Sequence, residues 1–330
     1  MGRMTNTIVV TFNVRPPERA VIADSAGADT RIVYLTDLDD AGRLNALRGA
    51  SALLARDTGK DLRPGEADQI LSAVLIQFIT AGIDFVKLSA LPAGIPVASN
   101  GGAYAEPMAE HGLAMALAAA KRLLPEHAAL VRGEFNQHTR NRMLAGKICG
   151  ILGFGGIGIA TARLMRAIGM RIHAVNRRGL SDEPTDWIAP VSDLDTLLAA
   201  ADVLIVCTPL TPATKGLLGE RELGLMKPDA ILVNLARGEI VQEDALFAHL
   251  QTHPAFTACI DAWWVEPIRH GAFRTDYPFL SLPNVLGSPH NSASVPGMTA
   301  AALRRAMANV RRALAGDAPR YALGADERMG

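Results

Sequence analysis

Three short stretches of the sequence carry side chains that can bind anions and move protons. Arg237 lies in LVNLARGEIV, Asp261 and Glu266 lie in ACIDAWWVEP, and His290 lies in NVLGSPHNSAS. The polar residues come at or just beyond the end of an apolar run that is typical of a buried strand. Ligands of open α/β sheets bind beyond the carboxyl ends of the strands. We therefore expect an arginine, a carboxylate and a histidine to converge on one crevice, where such residue types serve acid–base chemistry.

A glycine-rich turn follows the predicted strand 147–152 and has the spacing of a dinucleotide-binding loop, G-x-G-x-x-G. In such loops the first glycine permits a tight turn, the second lets the backbone approach a pyrophosphate, and the third lets helix and strand pack closely. The pyrophosphate then lies at the positive end of the new helix. A purely structural turn is the alternative. The predicted cofactor-binding residues of the loop are Gly153, Phe154, Gly155, Gly156, Ile157 and Gly158.

The next predicted strand ends in HAVNRR, where an acidic residue would be expected for NAD. The chain has Asn176 there, followed by Arg177 and Arg178. Asparagine does not repel a phosphate as a carboxylate does, and guanidinium groups match phosphate geometry. The pattern favours a pocket for the 2′-phosphate of NADP(H), with Arg177 as the preferred contact and NAD as a possible cofactor. The alternative is two solvated arginines beside a strand.

Short β-rich runs alternate with amphipathic segments along the chain, which is typical of βαβ units and parallel sheets. A first series of strands is predicted near 7–13, 31–35, 51–55, 74–79 and 95–98, with helices between them, for example at 64–72. A long helix is predicted at about 105–123, and a second series has strands at 147–152, 171–176, 202–206, 230–234 and 256–261. Each series could form a doubly wound sheet. The last predicted helix, at about 296–315, could close either one.

The bulk composition is that of an ordinary soluble α/β protein. The 330 residues include 33 basic and 33 acidic side chains, so neither a nucleic-acid nor a membrane surface is an expected partner. The N-terminus shows no signal-peptide pattern, and a cytoplasmic location is expected. Cys149, Cys207 and Cys259 lie in separate apolar runs and are predicted to be reduced core residues rather than disulfide or metal ligands. No metal site is predicted, because no Cys/His cluster has ligand spacing.

At the family level, the chain resembles the D-isomer-specific 2-hydroxyacid dehydrogenases over about residues 50–300. The matching stretches are ITAGID, GIPVASNGG, AEHGLAMALAAAKR, LAGKICGILGFGGIG, CTPLTPATKGLL, MKPDAILVNLARGEIV, IDAWWVEP and LPNVLGSPH. The resemblance implies two doubly wound domains: a flavodoxin-like substrate domain, 1–98 with 291–330, and an inserted Rossmann cofactor domain, 99–290. It also implies hinges near 99 and 290, where domain closure would shield the site from water.

The resemblance also implies roles for particular residues. Arg237 would bind the carboxylate and carbonyl oxygens of a 2-oxo acid. His290 would exchange a proton with the carbonyl oxygen, and Glu266 would orient His290 and favour its charged form. The backbone N–H groups of Ala81 and Gly82 would hold the substrate carboxylate. The remaining cofactor contacts implied are Thr208 and Pro209 on the adenosine side, Leu235 and Asp261 at the nicotinamide amide, and Ala236.

Several departures from the family pattern leave the substrate open. Tyr104 stands where the family often has Asn, and Trp263 and Trp264 could either wall the substrate pocket or pack the core. The first hypothesis is NADP(H)-dependent reduction of a small 2-oxo acid such as glyoxylate or hydroxypyruvate. The alternative is NAD-dependent oxidation of 3-phosphoglycerate or phosphite, although ITAGID has no cationic residue and only Lys87 is near it in sequence.

Two further expectations concern partners. A nicotinamide-sensing corepressor that binds proteins is the hypothesis from another functional class, and saturable turnover would separate it from an enzyme. By resemblance we expect a homodimer with the 105–123 helix at or near the interface. His111, early in that helix, is interpreted as structural rather than catalytic.

Overall fold

A computed structural model describes residues 5–324 and divides the chain into two compact units. Residues up to Tyr104 together with those from Pro296 onward form unit 1, and Ala105–Val295 form unit 2. Each unit contains one fully parallel sheet with helices, so the predicted α/β class is confirmed. None of the helices in the described part of the chain is long and apolar enough to cross a membrane.

Unit 1 is built on a five-stranded sheet in the order β2-β1-β3-β4-β5. The strands are β1 Asn6–Val10, β2 Thr30–Tyr34, β3 Ala52–Ala55, β4 Ile76–Phe78 and β5 Val97–Ala98. The α-helices are α1 Pro16–Ala26, α2 Asp40–Arg48, α3 Thr58–Asp61 and the returning helix α11 Met298–Leu314. Single 3₁₀ turns lie at Leu35–Asp37, Ala67–Gln69 and Leu88–Ala90.

Helix α11 closes the core of unit 1. Leu303, Met307 and Val310 recur at helical spacing and are at most 1% exposed, packed in one apolar cluster with Ile8 and Val10 of β1. Beyond this helix the chain continues along the edge of the sheet. There Ala322 pairs with Ala98 of β5 in an antiparallel bridge.

Unit 2 is built on a seven-stranded sheet in the order β12-β11-β10-β9-β6-β7-β8. The strands are β6 Ile148–Leu152, β7 Arg171–Val175, β8 Trp187–Ala189, β9 Val203–Val206, β10 Ile231–Asn234, β11 Thr257–Ile260 and β12 Val285–Gly287. The α-helices are α4 Ala105–Ala120, α5 Leu123–Val131, α6 Gly156–Ala167, α7 Leu194–Ala200, α8 Glu220–Leu225, α9 Glu243–Thr252 and α10 Pro267–His270. Single 3₁₀ turns lie at Val191–Asp193, Gly238–Ile240 and Phe279–Ser281.

The central strands of unit 2 are buried on both faces, as expected for a parallel sheet covered by helices. Every residue of β6, β9 and β10 is buried. Because all seven strands run the same way, the loops that follow β6, β7, β9, β10, β11 and β12 leave the same edge of the sheet. Those loops contain the residues that the sequence marked for chemistry.

Two sequence predictions of local structure are wrong. Residues 64–72 do not form a helix, and only the short 3₁₀ turn Ala67–Gln69 lies there. The long helix predicted at 105–123 ends at Ala120, and a second helix starts at Leu123 after Arg122 takes the left-handed conformation with φ 52°.

Candidate active site

The turn between β6 and α6 fits the pyrophosphate of a dinucleotide. Gly153 has φ +98°, and a Cβ there would lie 2.6 Å from the backbone nitrogen of Thr208. A Cβ on Gly158 would lie 2.3 Å from the carbonyl oxygen of Gly153, so both positions require glycine. Gly155, in contrast, faces open space, with no described atom within 4 Å of an added Cβ. It is the N-cap of α6 and supplies no side chain to cap the helix, whose first N–H groups are thus available to an anion.

Neighbouring strand ends surround this turn. The backbone of Thr208 passes against Gly153 after β9, and Pro209 is exposed with its carbonyl accepting from the Thr214 hydroxyl at 2.7 Å. Burial raises the pKa of the Cys207 thiol to about 12, and its Sγ lies 2.9 Å from the Gly153 carbonyl oxygen. This cysteine is a neutral packing group beneath the glycine turn. Phe154 is also buried, while Ile157 packs partly buried beside Ala105 and Ala109 of α4.

The end of β10 places Leu235 and Ala236 in the same region of unit 2. Leu235 is 1% exposed, and its N–H donates to the Val206 carbonyl at 3.0 Å. The N–H of Ala236 donates to the Asn234 side-chain oxygen at 3.1 Å. These bonds fix the start of the loop that carries Arg237. Contact of either residue with a cofactor stays a prediction.

Asn176 shapes the loop that follows β7. Its side-chain oxygen accepts from the N–H groups of Arg178 at 3.0 Å and Gly179 at 2.7 Å, and its amide nitrogen donates to the Leu180 carbonyl at 2.9 Å. Both ends of the amide are therefore engaged in the turn. Arg177 and Arg178 are exposed on that turn. The loop holds two cationic residues at the place where an NAD-specific strand would end in a carboxylate.

A histidine and a glutamate from two strand-end loops of unit 2 form a hydrogen-bonded pair. His290 Nδ1 lies 2.8 Å from both carboxylate oxygens of Glu266. Burial raises the pKa of Glu266, but the hydrogen bond from His290, the Trp263 N–H and the charge of Arg237 together bring that pKa below its ordinary value. Glu266 is therefore a carboxylate at neutral pH, and it requires the proton on His290 Nδ1. Nε2 of His290, by contrast, has no hydrogen-bond partner among the described residues.

The backbone N–H of Trp263 and the side chain of His270 hold Glu266 in place. The Trp263 N–H donates to Oε1 of Glu266 at 2.7 Å, and the Trp263 indole donates to the Ser288 carbonyl at 2.8 Å. The backbone N–H of Glu266 donates to Nδ1 of His270 at 2.9 Å. Trp264 is buried, stacks on Phe279 and donates to a backbone carbonyl. Both tryptophans are thus core and positioning residues, which decides between the two interpretations of the sequence.

Arg237 lies at the loop after β10 and is partly buried. One guanidinium nitrogen donates to the Ala236 carbonyl at 2.8 Å, and the Asn234 amide donates to the Arg237 carbonyl at 2.9 Å. The next residue, Gly238, passes so close to the loop after β11 that a Cβ would lie 2.4 Å from the Trp263 carbonyl carbon. This close approach brings the arginine loop and the glutamate loop together.

Asp261 anchors the loop that carries His290. Its side chain is fully buried, and Oδ1 accepts from the Ser288 hydroxyl at 2.5 Å and from the Asn291 N–H at 3.2 Å. Its backbone carbonyl accepts from the His290 N–H at 2.9 Å. His290 itself is held in the left-handed conformation with φ 49°. The other carboxylate oxygen, Oδ2, is buried with no partner in the described part of the chain, and contact of Asp261 with a cofactor stays a prediction.

Ser288 is not among the predicted site residues, and the prediction for His111 is a structural role. Nε2 of His111 lies 3.0 Å from the Ser288 hydroxyl and 3.7 Å from Oδ1 of Asp261. The three side chains form one polar cluster behind the histidine loop. Ser288 could have been selected only by its position two residues before His290.

In unit 1, Ala81 and Gly82 follow β4 at the carboxyl edge of the sheet. Neither N–H donates a hydrogen bond to a described residue, so both are available to an anion. The segment that follows β5 holds the backbone just before Ala81. The Asn100 amide and the Tyr104 hydroxyl both donate to the Ile79 carbonyl, at 3.0 and 2.9 Å. Tyr104 therefore supports the loop in this protein.

Arg56 is a cation that the sequence analysis missed. It follows β3, whose Ala55 pairs with Phe78 of β4, so it leaves the same sheet edge as Ala81. The side chain is exposed, its Cζ lies 4.7 Å from the centroid of the Phe12 ring, and it forms no ion pair within residues 5–324. The expectation that this loop has no cationic neighbour other than Lys87 is thus incomplete. An arginine directly after a buried strand, in ALLARD, was the available signal.

Metal ligands do not cluster in the described part of the chain, where no group of three His, Cys, Asp or Glu side chains could hold an ion. Cys149 and Cys259 are buried free thiols, and burial raises the pKa of Cys259 to about 12.

A seven-stranded parallel sheet, a glycine turn that opens a helix, and an arginine, a glutamate and a histidine at strand ends define a nucleotide-binding domain of the dehydrogenase class. Residues 113–292 match the family model described as the NAD-binding domain of D-isomer-specific 2-hydroxyacid dehydrogenases. The chain belongs to the D-isomer-specific 2-hydroxyacid dehydrogenase family, as the resemblance predicted.

Individual relatives differ in their named substrates. A hydroxypyruvate reductase of Thermotoga maritima is 33% identical over 227 residues, covering 68% of this chain and 71% of the relative. A D-3-phosphoglycerate dehydrogenase of Methanocaldococcus jannaschii is 30% identical over 288 residues, covering 86% of this chain. The aligned part is 53% of that relative, so the chain spans about half its length.

The fold is also found in solved structures. A D-isomer-specific 2-hydroxyacid dehydrogenase of Xanthobacter autotrophicus, in complex with NADPH and MES, superposes with a TM-score of 0.78 at 22% identity. The match covers 97% of this chain and 98% of that one. At this identity the likeness shows the fold alone.

Proposed function

We propose that this protein reduces a small 2-oxo acid of the glyoxylate or hydroxypyruvate type to the D-2-hydroxy acid, with NADPH preferred as the reductant. The observation that carries the proposal is the His290–Glu266 pair, in which Nδ1 is held by a buried carboxylate and Nε2 is available. The pair lies in the same unit as the glycine turn, so proton transfer and cofactor binding belong to one domain.

Each of the charged residues has a separate role in the proposed reaction. Arg237 would bind the carboxylate and carbonyl oxygens of the substrate. A bound nicotinamide would supply the hydride to the carbonyl carbon. His290 Nε2 would give its proton to the carbonyl oxygen, and the resulting hydroxyl completes the 2-hydroxy acid. Glu266, ionised throughout, would stabilise the imidazolium before transfer and fix its orientation afterwards.

Three observations support the choice of cofactor. The dinucleotide turn has the open position at Gly155 that a pyrophosphate needs. The loop after β7 presents Arg177 and Arg178 and has no carboxylate at the strand end. Asn176 is engaged in shaping this loop, so we assign the 2′-phosphate contact to the arginines.

Arg56 favours a second candidate, oxidation of a phosphorylated hydroxy acid such as 3-phosphoglycerate. Its exposed guanidinium at the carboxyl edge of the unit 1 sheet could bind an additional phosphate. The Methanocaldococcus relative carries that activity in its name. The Thermotoga relative, which aligns with a larger share of its own length, is named for the first candidate.

A homodimer belongs to the proposal as well. Helix α5 buries none of its residues within the chain. An exposed apolar patch, defined by Leu123, Leu124, Leu130, Val131 and Phe135, covers this helix and the segment after it. Patches of this kind on a soluble protein mark interaction surfaces, and we propose a second copy of the chain as the occupant.

The deciding experiment compares kcat/KM for glyoxylate, hydroxypyruvate, pyruvate and 3-phosphohydroxypyruvate, each with NADPH and with NADH. Loss of reduced-nicotinamide absorbance measures the rate. We expect turnover of the unphosphorylated acids with a preference for NADPH, and loss of turnover in His290→Asn. The substitution Arg56→Gln should leave these rates nearly unchanged.

Preference for 3-phosphohydroxypyruvate, lost in Arg56→Gln, would move the proposal to the second candidate. A folded protein without turnover of any pair would contradict both. His127→Asn, a substitution of an exposed histidine on α5, controls for general effects of replacing histidine.

A further inference from the structure

Unit 1 contains a cavity that none of the proposed catalytic residues line. Its volume is about 310 Å³, and it opens to solvent between the crossover segment after β5, helix α11 and the C-terminal segment. The lining residues are Ser99, Asn100, Arg305, Ala308, Asn309, Arg312, Arg320 and Tyr321. Four of them, at positions 305, 308, 309 and 312, share one face of the helix because their spacing follows its period. The cavity has the size at which pockets begin to hold small metabolites.

The cavity is lined by guanidinium groups that have no carboxylate partner among residues 5–324. Arg305 donates to the Gly101 carbonyl and the Tyr321 hydroxyl, both at 3.2 Å, and Arg312 donates to the Ala318 carbonyl at 3.1 Å. The side chain of Arg320 makes no hydrogen bond or ion pair with residues 5–324. Elsewhere in the chain arginines commonly face a carboxylate, as Arg43 does with Glu66 at 2.6 Å.

Helix α11 and the segment before it bring no acidic side chain to this cavity. Helix α11 contains four arginines and no acidic residue, and none occurs between Asp276 and Asp317. Asp317 lies beyond the helix, does not line the cavity, and its N–H donates to the Arg312 carbonyl at 3.0 Å. That bond, with that of Gly316 to the Ala313 carbonyl, also satisfies carbonyl groups at the negative end of the helix.

The floor and one wall of the cavity are rigidly built. Asn309 is 8% exposed, and its amide nitrogen donates to Oε1 of Gln77 at 2.6 Å and to the Arg320 carbonyl at 2.8 Å. Its side-chain oxygen accepts from the Arg320 N–H at 2.7 Å. The Tyr321 ring lies so close to Gly101 that a Cβ there would be 2.3 Å from the ring, and Tyr321 has φ 55°. These contacts fix the backbone that carries Arg320 at the edge of the cavity.

From these observations we propose that this cavity is a binding site for a small, multiply charged anion, whose closely spaced oxygens are recognised by Arg305, Arg312 and Arg320. A phosphate ester and a polycarboxylate share this chemistry, and a planar guanidinium can bind either through two parallel hydrogen bonds. The site is separate from the proposed dehydrogenase residues and does not depend on their activity. Asn100 lines this cavity and also donates to the Ile79 carbonyl. An occupant would therefore touch a residue that holds the loop before Ala81.

The test is isothermal titration of the full-length protein with inorganic pyrophosphate and with citrate, at constant ionic strength set with chloride. We expect saturable binding of at least one of them, weakened about tenfold or more in Arg320→Gln and in Arg312→Gln, which corresponds to loss of one charge-assisted contact. Pyrophosphate alone would identify a phosphate compound as the natural occupant, and citrate alone a polycarboxylate. Arg311→Gln, on the same helix but outside the cavity, should bind as the unsubstituted protein does.

Binding that is equal in the unsubstituted protein and in Arg320→Gln, or that is abolished in Arg237→Gln instead, would overturn the proposal, as would no saturable binding of either anion. Because the Arg320 side chain is exposed and makes no hydrogen bond or ion pair with residues 5–324, its replacement should leave the thermal midpoint nearly unchanged. Arg320→Lys provides a second test, since it keeps the charge and loses the planar fork. It should bind more weakly than the unsubstituted protein and more strongly than Arg320→Gln.

Discussion

Glu266 shows how one buried side chain connects three loops of the candidate site. It accepts from His290 after β12 and from the Trp263 N–H after β11, and the nearby charge of Arg237 after β10 lowers its pKa. Burial alone would raise that pKa, and the opposing contacts win. The carboxylate is therefore charged throughout the range in which a histidine can exchange protons.

Replacing Glu266 by Gln should reduce kcat for the 2-oxo acid about 100-fold, because the neutral amide no longer stabilises the imidazolium. The amide oxygen can still accept from the Trp263 N–H, so the fold should be kept. Rates measured from pH 5 to 9 should show activity lost soonest at the alkaline end, where the imidazolium needs the carboxylate most. Glu220→Gln, at an exposed glutamate, is the control, and equal rates in the two variants would contradict the assignment.

Arg177→Ala should raise KM for NADPH about tenfold and leave KM for NADH nearly unchanged, because only NADPH carries the 2′-phosphate. Initial rates with each cofactor at saturating 2-oxo acid give both constants. Arg171→Ala, at the exposed start of β7, should change neither. If both KM values rise together in Arg177→Ala, the arginine supports the loop and does not select the cofactor.

Much of the candidate site could be predicted because its residues follow apolar strands in short, ordered motifs. Arg237, Glu266 and His290 were each identified in this way, and the structure places Glu266 against His290. Arg56 also follows a strand but was missed, because its relation to Ala81 depends on which strands are neighbours in the sheet. The hydrogen bonds of Asn176 within its own turn were not predicted. From the sequence, an asparagine at a strand end can equally contact a cofactor or stabilise the turn.

At the scale of elements, the five strands of unit 1 and five of the seven strands of unit 2 were predicted, whereas the short strands β8 and β12 and some short helical segments were not. Residues 64–72 contain amphipathic spacing, but Glu66 is drawn into a buried ion pair with Arg43 and accepts from the Arg63 N–H at 2.8 Å. This tertiary pair holds the segment in turns, an override that local spacing does not reveal. The break after Ala120 has a different cause: Pro125 has no N–H to donate to the Lys121 carbonyl, and the Arg142 N–H donates to the Ala120 carbonyl at 2.9 Å instead.

Helix α9 carries a histidine that should make the stability of unit 2 depend on pH. Burial and the neighbouring charge of His253 lower the pKa of His249 to about 4, and its Nε2 is buried without a partner in the described residues. The folded protein therefore keeps His249 neutral, whereas the unfolded chain takes up a proton below about pH 6.5. The contribution of neutral His249 to the free energy of unfolding is fully present above that pH and is lost as the pH falls towards 4.

The free energy of unfolding, measured with urea at pH 7 and pH 5, should thus fall more in the unsubstituted protein than in His249→Leu. The expected difference is about 2 kcal/mol, because pH 5 lies about 1.5 units below the pKa of histidine in the unfolded chain and each unit corresponds to about 1.4 kcal/mol. His127→Leu, which removes an exposed histidine, should retain the full pH dependence. An unchanged dependence in His249→Leu would show that His249 does not carry it.

At the scale of the whole molecule, the apolar patch on and after α5 predicts the oligomeric state. Leu130→Glu, at a side chain that is 53% exposed, should convert the dimer into a monomer, because a charge would be buried in the interface. Sedimentation velocity measures the change. Ile268→Glu, at an exposed apolar residue of the short helix α10, should leave the dimer intact. A monomer in the unsubstituted protein would contradict the proposed partner.

The return of α11 to unit 1 has a consequence during synthesis on the ribosome. The first 104 residues cannot complete their core until Leu303, Met307 and Val310 have emerged, because these side chains fill it. At usual translation speeds the intervening 191 residues, Ala105–Val295, take about 10 to 40 s to make. Unit 2 is one continuous segment, so it can fold first although it is synthesised later. Until helix α11 has emerged, the N-terminal strands of unit 1 keep an exposed apolar face. Nascent chains of this protein should therefore need a chaperone at their N-terminal end for longer than at their centre.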